Sequence, residues 1–132
     1  KPQTLKHLET LKRTAFFTDS HAKKNVTVFD TTLRDGEQTP GISFTLEEKL
    51  AIAEQLSKIG VHAIEAGFPA SSETERQSVK AVVGLGLSSQ VCGLARSLTS
   101  DVDACIDCGV DMVHVFIPTS DVQREYTIKK TR

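Results

Sequence analysis

The chain has 132 residues, with 16 Lys and Arg against 17 Asp and Glu, and its net charge is −1 at pH 7. This length fits one domain, and such a neutral balance argues against a nucleic-acid-binding surface, which is usually basic. No apolar run approaches the roughly 18 residues that a membrane span needs. We therefore expect neither nucleic-acid nor membrane partners.

The three cysteines are too few, and odd in number, for a disulfide scaffold, which favours a reducing, cytoplasmic compartment. Cys105 and Cys108 have the spacing of two metal ligands, but no second pair follows them. Because zinc sites normally need four ligands, we favour two thiols one turn apart on a helix over a metal or redox motif.

The first elements are an arm and one βα unit. Leucines recur at helical spacing in residues 1–24, which predicts a partly helical arm. The β-branched run 26–29 predicts a strand that ends at Asp30. After a polar loop, Thr45 and Glu48 form a predicted capping box for a helix that ends near Gly60.

The same alternation then recurs. Further strands are predicted at 61–66, 90–95 and 111–117. Ser72 and Glu75 predict a second capping box, and a third helix is expected from about Ser100 to Gly109. A fourth helix is expected to begin after residue 120.

An internal repeat supports this division. Residues 60–65 and 68–69 align without gaps with residues 109–114 and 117–118. Each copy is a helix end, a strand and a loop that begins at proline, so the repeat predicts an α/β fold with a parallel sheet. Both a doubly wound sheet and part of a (β/α)₈ barrel fit, and four units are about half of a barrel.

In either architecture ligands bind at the carboxyl ends of the strands. The densest polar segment, residues 30–41, directly follows the first strand. Asp35 could supply an oxygen ligand to a divalent metal, and Arg34 could stabilise charge on a substrate oxygen. The alternative interpretation of this segment is a solvated loop rich in turn residues.

Glu65 and His114 occupy equivalent positions in the repeat, so we expect them to point the same way. A glutamate on a buried strand is costly unless it is paired or functional, and the structural alternative is a partner for Arg34 or a backbone amide. His114 could also be a core histidine. The other histidines are predicted to be structural or exposed; they are His7, His21 and His62.

The segment 29–38, FDTTLRDGEQ, with Lys49 after it, resembles the signature of the 2-isopropylmalate synthase/homocitrate synthase family. Residues 64–70 and 113–120 resemble the second and fourth strand ends of that family. The resemblance implies that residues 25–132 are the N-terminal half, about four βα units, of a (β/α)₈ TIM-barrel catalytic domain, preceded by the arm.

The resemblance also implies the reaction. A divalent metal, Mg²⁺ or Mn²⁺, would chelate a 2-oxo acid, the enolate of acetyl-CoA would attack the ketone, and thioester hydrolysis would release CoA. By position, Asp35 would be a metal ligand and Arg34 the catalytic group that stabilises the enolate or alkoxide oxygen. Gln38, Glu65 and His114 would bind substrate.

Within the family, Asp35 favours isopropylmalate or citramalate synthases over homocitrate synthases, and residues 67–72 are more like isopropylmalate synthases. These use 2-oxoisovalerate and acetyl-CoA in leucine biosynthesis. Citramalate or homocitrate synthesis, an acyl-CoA lyase on the same barrel and a non-catalytic half-barrel binding protein remain alternatives.

Family members complete the metal site with a His-x-His pair on a late strand, so the remaining ligands are expected beyond residue 132. We therefore expect an N-terminal fragment without turnover of its own. The full-length protein is expected to be a homodimer.

Overall fold

The computed structural model describes residues 26–129, so the predicted arm, His7 and His21 lie outside the described residues. The strands are β1 (Phe29–Asp30), β2 (Ala63–Gly67), β3 (Gln90–Arg96) and β4 (Met112–Phe116). The main helices are α1 (Leu46–Lys58), α2 (Glu73–Gly84) and α3 (Thr99–Asp107). A 3₁₀ turn, Gly36–Gln38, follows β1, and the short helical segments Asp121–Gln123 and Arg124–Ile128 follow β4.

The four strands form one parallel sheet in the order β1-β2-β3-β4. A doubly wound sheet reverses its strand order at a switch point, whereas successive strands of a barrel lie side by side. The predicted α/β fold is confirmed, and the strand order decides between the two architectures in favour of the barrel path. No helix within residues 26–129 is long and apolar enough to cross a membrane.

The core lies between the helices and one face of the sheet. Its buried members are Leu33, Ala53, Ile64, Ala66, Val79, Val82, Val91 and Cys108. β2 is buried along its whole length, whereas β4 is only partly covered. The opposite, inner face carries a hollow of about 850 Å³ whose lining includes Phe29, Ala63, Met112 and His114.

Local signals set most helix ends. Thr45 and Glu48 form both bonds of the predicted capping box, and Gly60 follows α1 with φ of 88°. The second predicted capping box is wrong in one half. The Ser72 hydroxyl accepts the amide of Glu75, but the Glu75 carboxylate binds the Phe68 amide and the Lys49 ammonium instead.

The first strand is shorter than predicted. Regular pairing begins at Phe29, although the Val28 carbonyl accepts the amides of His62 and Ala63. The Val28 amide donates to Nδ1 of His62 at 3.2 Å, so this amide is not part of the hydrogen-bond ladder between β1 and β2. His62 is thus an exposed structural residue, as predicted.

The cysteines are buried free thiols used in packing. Cys105 lies in α3 and Cys108 just after its end, as the spacing predicted. A Cβ added to Gly93 of β3 would lie 2.9 Å from Cys105 Sγ, so the glycine allows α3 to approach the sheet. Burial raises the pKa of Cys105 to about 11, which keeps the thiol protonated at neutral pH.

Candidate active site

The loop after β1 is folded by short-range hydrogen bonds. The carboxylate of Asp30 accepts the amide of Thr32 at 2.9 Å and its hydroxyl at 3.2 Å. The carbonyl of Thr31 then accepts the amides of Arg34 and Asp35, at 3.1 and 2.8 Å. This tight turn fixes both side chains at the carboxyl end of β1.

A group of four side chains, the Glu65 cluster (Arg34, Asp35, Glu65 and His114), meets at this end of the sheet. Glu65 Oε2 lies 2.7 Å from both Nε and Nη2 of Arg34. Glu65 Oε1 lies 2.7 Å from His114 Nδ1, and Arg34 Nη1 donates to Asp35 Oδ1 at 2.9 Å. One carboxylate therefore joins the β1 loop, β2 and β4.

The internal repeat predicted that Glu65 and His114 point the same way, and they do; the structure also brings them into contact. Each is the third residue of a five-residue strand, and both face the inner side of the sheet. β3 lies between their strands, and its Cys92 is the register partner of Glu65. Burial, and next the charge of Glu65, raise the pKa of Cys92 to about 11, so it remains a thiol at neutral pH.

Exposure differs strongly within the Glu65 cluster. The Glu65 side chain is 0% exposed, those of Arg34 and His114 are 17% and 42% exposed, and that of Asp35 is 65% exposed. In the neutral imidazole, a hydrogen bond donated by Nδ1 of His114 to the Glu65 carboxylate places the lone pair on Nε2. The buried carboxylate thus holds two groups that reach towards the open side.

The predicted site residue Gln38 does not join the Glu65 cluster. It ends the 3₁₀ turn, its side chain is exposed, and its amide donates to the Asp35 carbonyl at 3.1 Å. The structure therefore brings together four of the five predicted site residues.

The exposed carboxylate of Asp35 is a hard oxygen donor of the kind that Mg²⁺ and Mn²⁺ prefer. Within residues 26–129, however, no three His, Cys, Asp or Glu side chains are grouped so that they could hold a metal ion. Asp35 fits the role of one ligand, and the described residues do not complete a metal site.

A second charged group, the Lys49 bridge (Glu37, Lys49 and Glu75), lies on the helix side of β2. Lys49 Nζ is 2.7 Å from Glu37 Oε2 and 3.1 Å from Glu75 Oε2. Sequence reasoning did not predict this group. Its signal was the position of Lys49, three residues after Leu46 and four before Ala53, on the apolar stripe of α1.

A bulge in β2 separates the two groups. Glu65 pairs with Cys92 and Gly67 with Gly93, so Ala66 is an extra residue. A Cβ on Gly67 would overlap Glu75 Oε1 and lie 3.0 Å from Val79 Cγ2, which shows that this position faces α2. Glycine is therefore required where the Glu75 carboxylate approaches the strand.

The end of β3 carries a further ion pair. Arg96 binds the carboxylate of Asp101 through Nε at 2.6 Å and Nη2 at 3.0 Å, and its Cζ lies 5.5 Å from the ring centroid of Phe68. The hydrogen bond from Arg96 lowers the pKa of Asp101. Phe68 thus connects the β2 and β3 loops.

Comparison with known proteins gives consistent matches. The model of the HMGL-like family matches residues 25–132. The probable 2-isopropylmalate synthase of Methanosarcina mazei is 61% identical over 117 residues, which are 89% of this chain and 23% of that protein. Homocitrate synthase AksA of Methanothermobacter thermautotrophicus is 50% identical over 107 residues, 81% of this chain and 27% of that protein. The chain thus spans about a quarter of the length of these relatives.

Among solved structures, a crystal structure of HMG-CoA lyase from Bacillus subtilis matches with a TM-score of 0.64. The match covers 82% of this chain and 38% of that one at 21% identity, so it supports the fold alone.

Proposed function

The chain belongs to the HMGL-like family, and we propose that it is part of an acyltransferase that condenses acetyl-CoA with a 2-oxo acid. The preferred substrate is 2-oxoisovalerate, which gives 2-isopropylmalate. The observation that carries the proposal is the Glu65 cluster, which gathers the charged side chains of the β1 loop, β2 and β4 at one place. Relatives named as synthases in this family support the choice of reaction class.

Arg34 has the central role in this proposal. Its guanidinium is fixed by Glu65 and Asp35 and is mostly buried, so its orientation is set before substrate arrives. Its contacts within residues 26–129 use Nε and one hydrogen on each terminal nitrogen. The remaining hydrogens can donate to an oxygen that gains negative charge during condensation, and such preorganised donors strongly stabilise transition states.

Glu65 and His114 act together. By accepting Nδ1–H, Glu65 fixes the tautomer of a neutral His114 in which Nε2 is an acceptor. Nε2 can then accept a hydrogen bond from a substrate hydroxyl. Glu65 itself is buried and contributes by holding Arg34 and His114.

Asp35 is proposed as one ligand of Mg²⁺ or Mn²⁺, with the other ligands outside the described residues. When bound, the ion polarises the oxygens of the 2-oxo acid. We assign Gln38 to substrate binding because of its place in the signature motif. Its exposed side chain, in the same loop as Asp35, is compatible with that role.

Homocitrate synthesis is the second candidate, because a relative of that name is 50% identical. The substrates differ in the group attached to the oxo carbon, which is an isopropyl group in 2-oxoisovalerate and a charged carboxyethyl group in 2-oxoglutarate, and none of the contacts described above is assigned to that group. The two functions are therefore separated by assay.

The test is CoA release by the full-length protein that contains this chain, with Mg²⁺ or Mn²⁺ and with 2-oxoisovalerate, pyruvate or 2-oxoglutarate. We expect the highest kcat/KM with 2-oxoisovalerate and a product with the mass of 2-isopropylmalate. Arg34→Lys should lose most turnover, since a point charge replaces a planar donor, whereas exposed Lys58→Met should not. Preference for 2-oxoglutarate would favour homocitrate synthesis, and cleavage of a 3-hydroxyacyl-CoA without condensation would refute the proposal.

A further inference from the structure

We propose that Lys49 is a positioning residue, which holds the loop after β1 and the loop after β2 in a fixed relation at the mouth of the site. It touches none of the members of the Glu65 cluster in the described contacts; it acts through Glu37 and Glu75. The kinetic consequence rests on the proposed function, but the structural consequence does not.

The two carboxylates of the Lys49 bridge are used in the same way. Glu37 binds the ammonium through Oε2 and accepts the amide of Phe44 through Oε1, at 3.1 Å. Glu75 binds the ammonium through Oε2 and accepts the amide of Phe68 through Oε1, at 3.2 Å. Each acid thus ties one loop backbone to a single buried cation.

Burial and charge make this cation hard to replace. The Lys49 side chain is 5% exposed, and the two carboxylates are about one-fifth exposed. Burial by itself lowers the pKa of Lys49, but the hydrogen bonds and charges of Glu37 and Glu75 outweigh it and raise that pKa. Without the ammonium, two carboxylates would face each other, and their repulsion would separate the loops.

The tied loops carry groups of the proposed site. Glu37 lies two residues after Asp35 and directly before Gln38 in one tight turn, so anchoring its side chain restrains the backbone that carries both. On the other side, Phe68 directly follows Gly67, the glycine that lets Glu75 approach β2, and its ring lies against Arg96. The Lys49 bridge therefore sets the distance between the loop after β1, which carries Asp35, and the loop after β2, which carries Phe68.

The experiment compares Lys49→Met, Lys49→Arg and the matched control Lys58→Met in the full-length protein. Lys58 lies on the same helix but is exposed, with Glu54 as its ion-pair partner at 3.5 Å. Hydrogen–deuterium exchange followed by mass spectrometry reports on peptides that contain Phe44 and Phe68, with a β3 peptide as reference. Steady-state kinetics report kcat and KM for both substrates.

For Lys49→Met we expect exchange about tenfold faster at the Phe44 and Phe68 peptides, the loss of protection from one ordinary hydrogen bond, with β3 unchanged. We expect kcat to fall by about 100-fold, as when reacting groups are misplaced by about 1 Å, with smaller changes in KM. Lys49→Arg should restore most of both quantities, and Lys58→Met should change neither.

Equal exchange in Lys49→Met and Lys58→Met would overturn the proposal. A uniform rise in exchange across all peptides would also overturn it, because that result indicates general destabilisation. If wild-type protein failed to condense acetyl-CoA, the proposed function would fail while loop-specific exchange still supported the positioning role.

Discussion

The Glu65 cluster and the Lys49 bridge lie on opposite faces of the same end of β2, and they use charge differently. In the Glu65 cluster the buried carboxylate binds side chains, and Asp35 and His114 remain substantially exposed. In the Lys49 bridge the buried group is the cation, and the two carboxylates that bind it also accept hydrogen bonds from backbone amides. The first arrangement leaves side chains exposed to solvent, and the second binds the backbone of the chain itself.

The difference separates groups that meet a ligand from groups that shape a loop. A charged network that ends on backbone amides fixes main-chain positions, whereas one that ends on exposed side chains retains donors and acceptors for another molecule. Substitutions in the Glu65 cluster should therefore change chemistry, and substitutions around the Lys49 bridge should change loop stability first.

The largest effect is expected at Glu65, where one substitution should change both the stability and the activity of the protein. Glu65→Gln removes the buried counter-charge of Arg34, and breaking a buried pair costs about 3–5 kcal/mol of unfolding free energy. Loss of the fixed Arg34 orientation should also lower kcat by at least about 100-fold. Urea unfolding and CoA release measure the two effects. Native stability in the variant would contradict this account.

Asp35→Ala should change activity while leaving stability nearly unchanged. Because the side chain is exposed, we expect the unfolding free energy to change by less than about 0.5 kcal/mol. Metal-dependent CoA release should nevertheless be lost, and calorimetry should detect weaker Mn²⁺ binding to the full-length protein. Unchanged Mn²⁺ affinity would remove Asp35 from the proposed ligand set.

Gly67→Ala tests the approach of Glu75 to β2. The new methyl group would overlap Glu75 Oε1, and overpacking of this kind costs typically about 1–3 kcal/mol. Gly84→Ala is the matched control, because no atom lies within 4 Å of its added Cβ, and a helix gains up to about 1 kcal/mol from such a change. Similar urea midpoints for the two variants would refute the close contact.

The smallest expected effect is the alkaline pH dependence of the Lys49 bridge. The pKa of Lys49 is raised above 10.5 in the folded protein, so its stabilising contribution is complete below that pH. The contribution is lost as pH rises through the folded pKa, because the unfolded chain releases the proton first. Unfolding of wild type and Lys49→Met between about pH 9 and pH 12 should show converging stabilities.

Sequence reasoning succeeded where the determining contacts are local or repeated. Thr45 and Gly60 mark the two ends of α1, and the contacts that determine these ends lie within one turn. The repeat places Glu65 and His114 at equivalent strand positions. Sequence reasoning failed at Glu75, where a local capping pattern competes with Lys49, 26 residues away. A charge-assisted bond to an ammonium is stronger than one to a neutral amide, so the distant partner prevails.

The bulge at Ala66 changes which face of β2 the following side chain occupies. Side chains alternate along a regular strand, so Gly67 would face the same side as Glu65 if no residue were extra. The added residue reverses this parity, and the strand presents its glutamate inwards and its glycine outwards only two positions later. Deleting Ala66 would keep Glu65 opposite Cys92 and Gly67 opposite Gly93, and simple alternation would still place the glycine on the Glu75 side. The bulge therefore adds one buried side chain, Ala66, to the helix face of β2 without displacing the contacts of either neighbour.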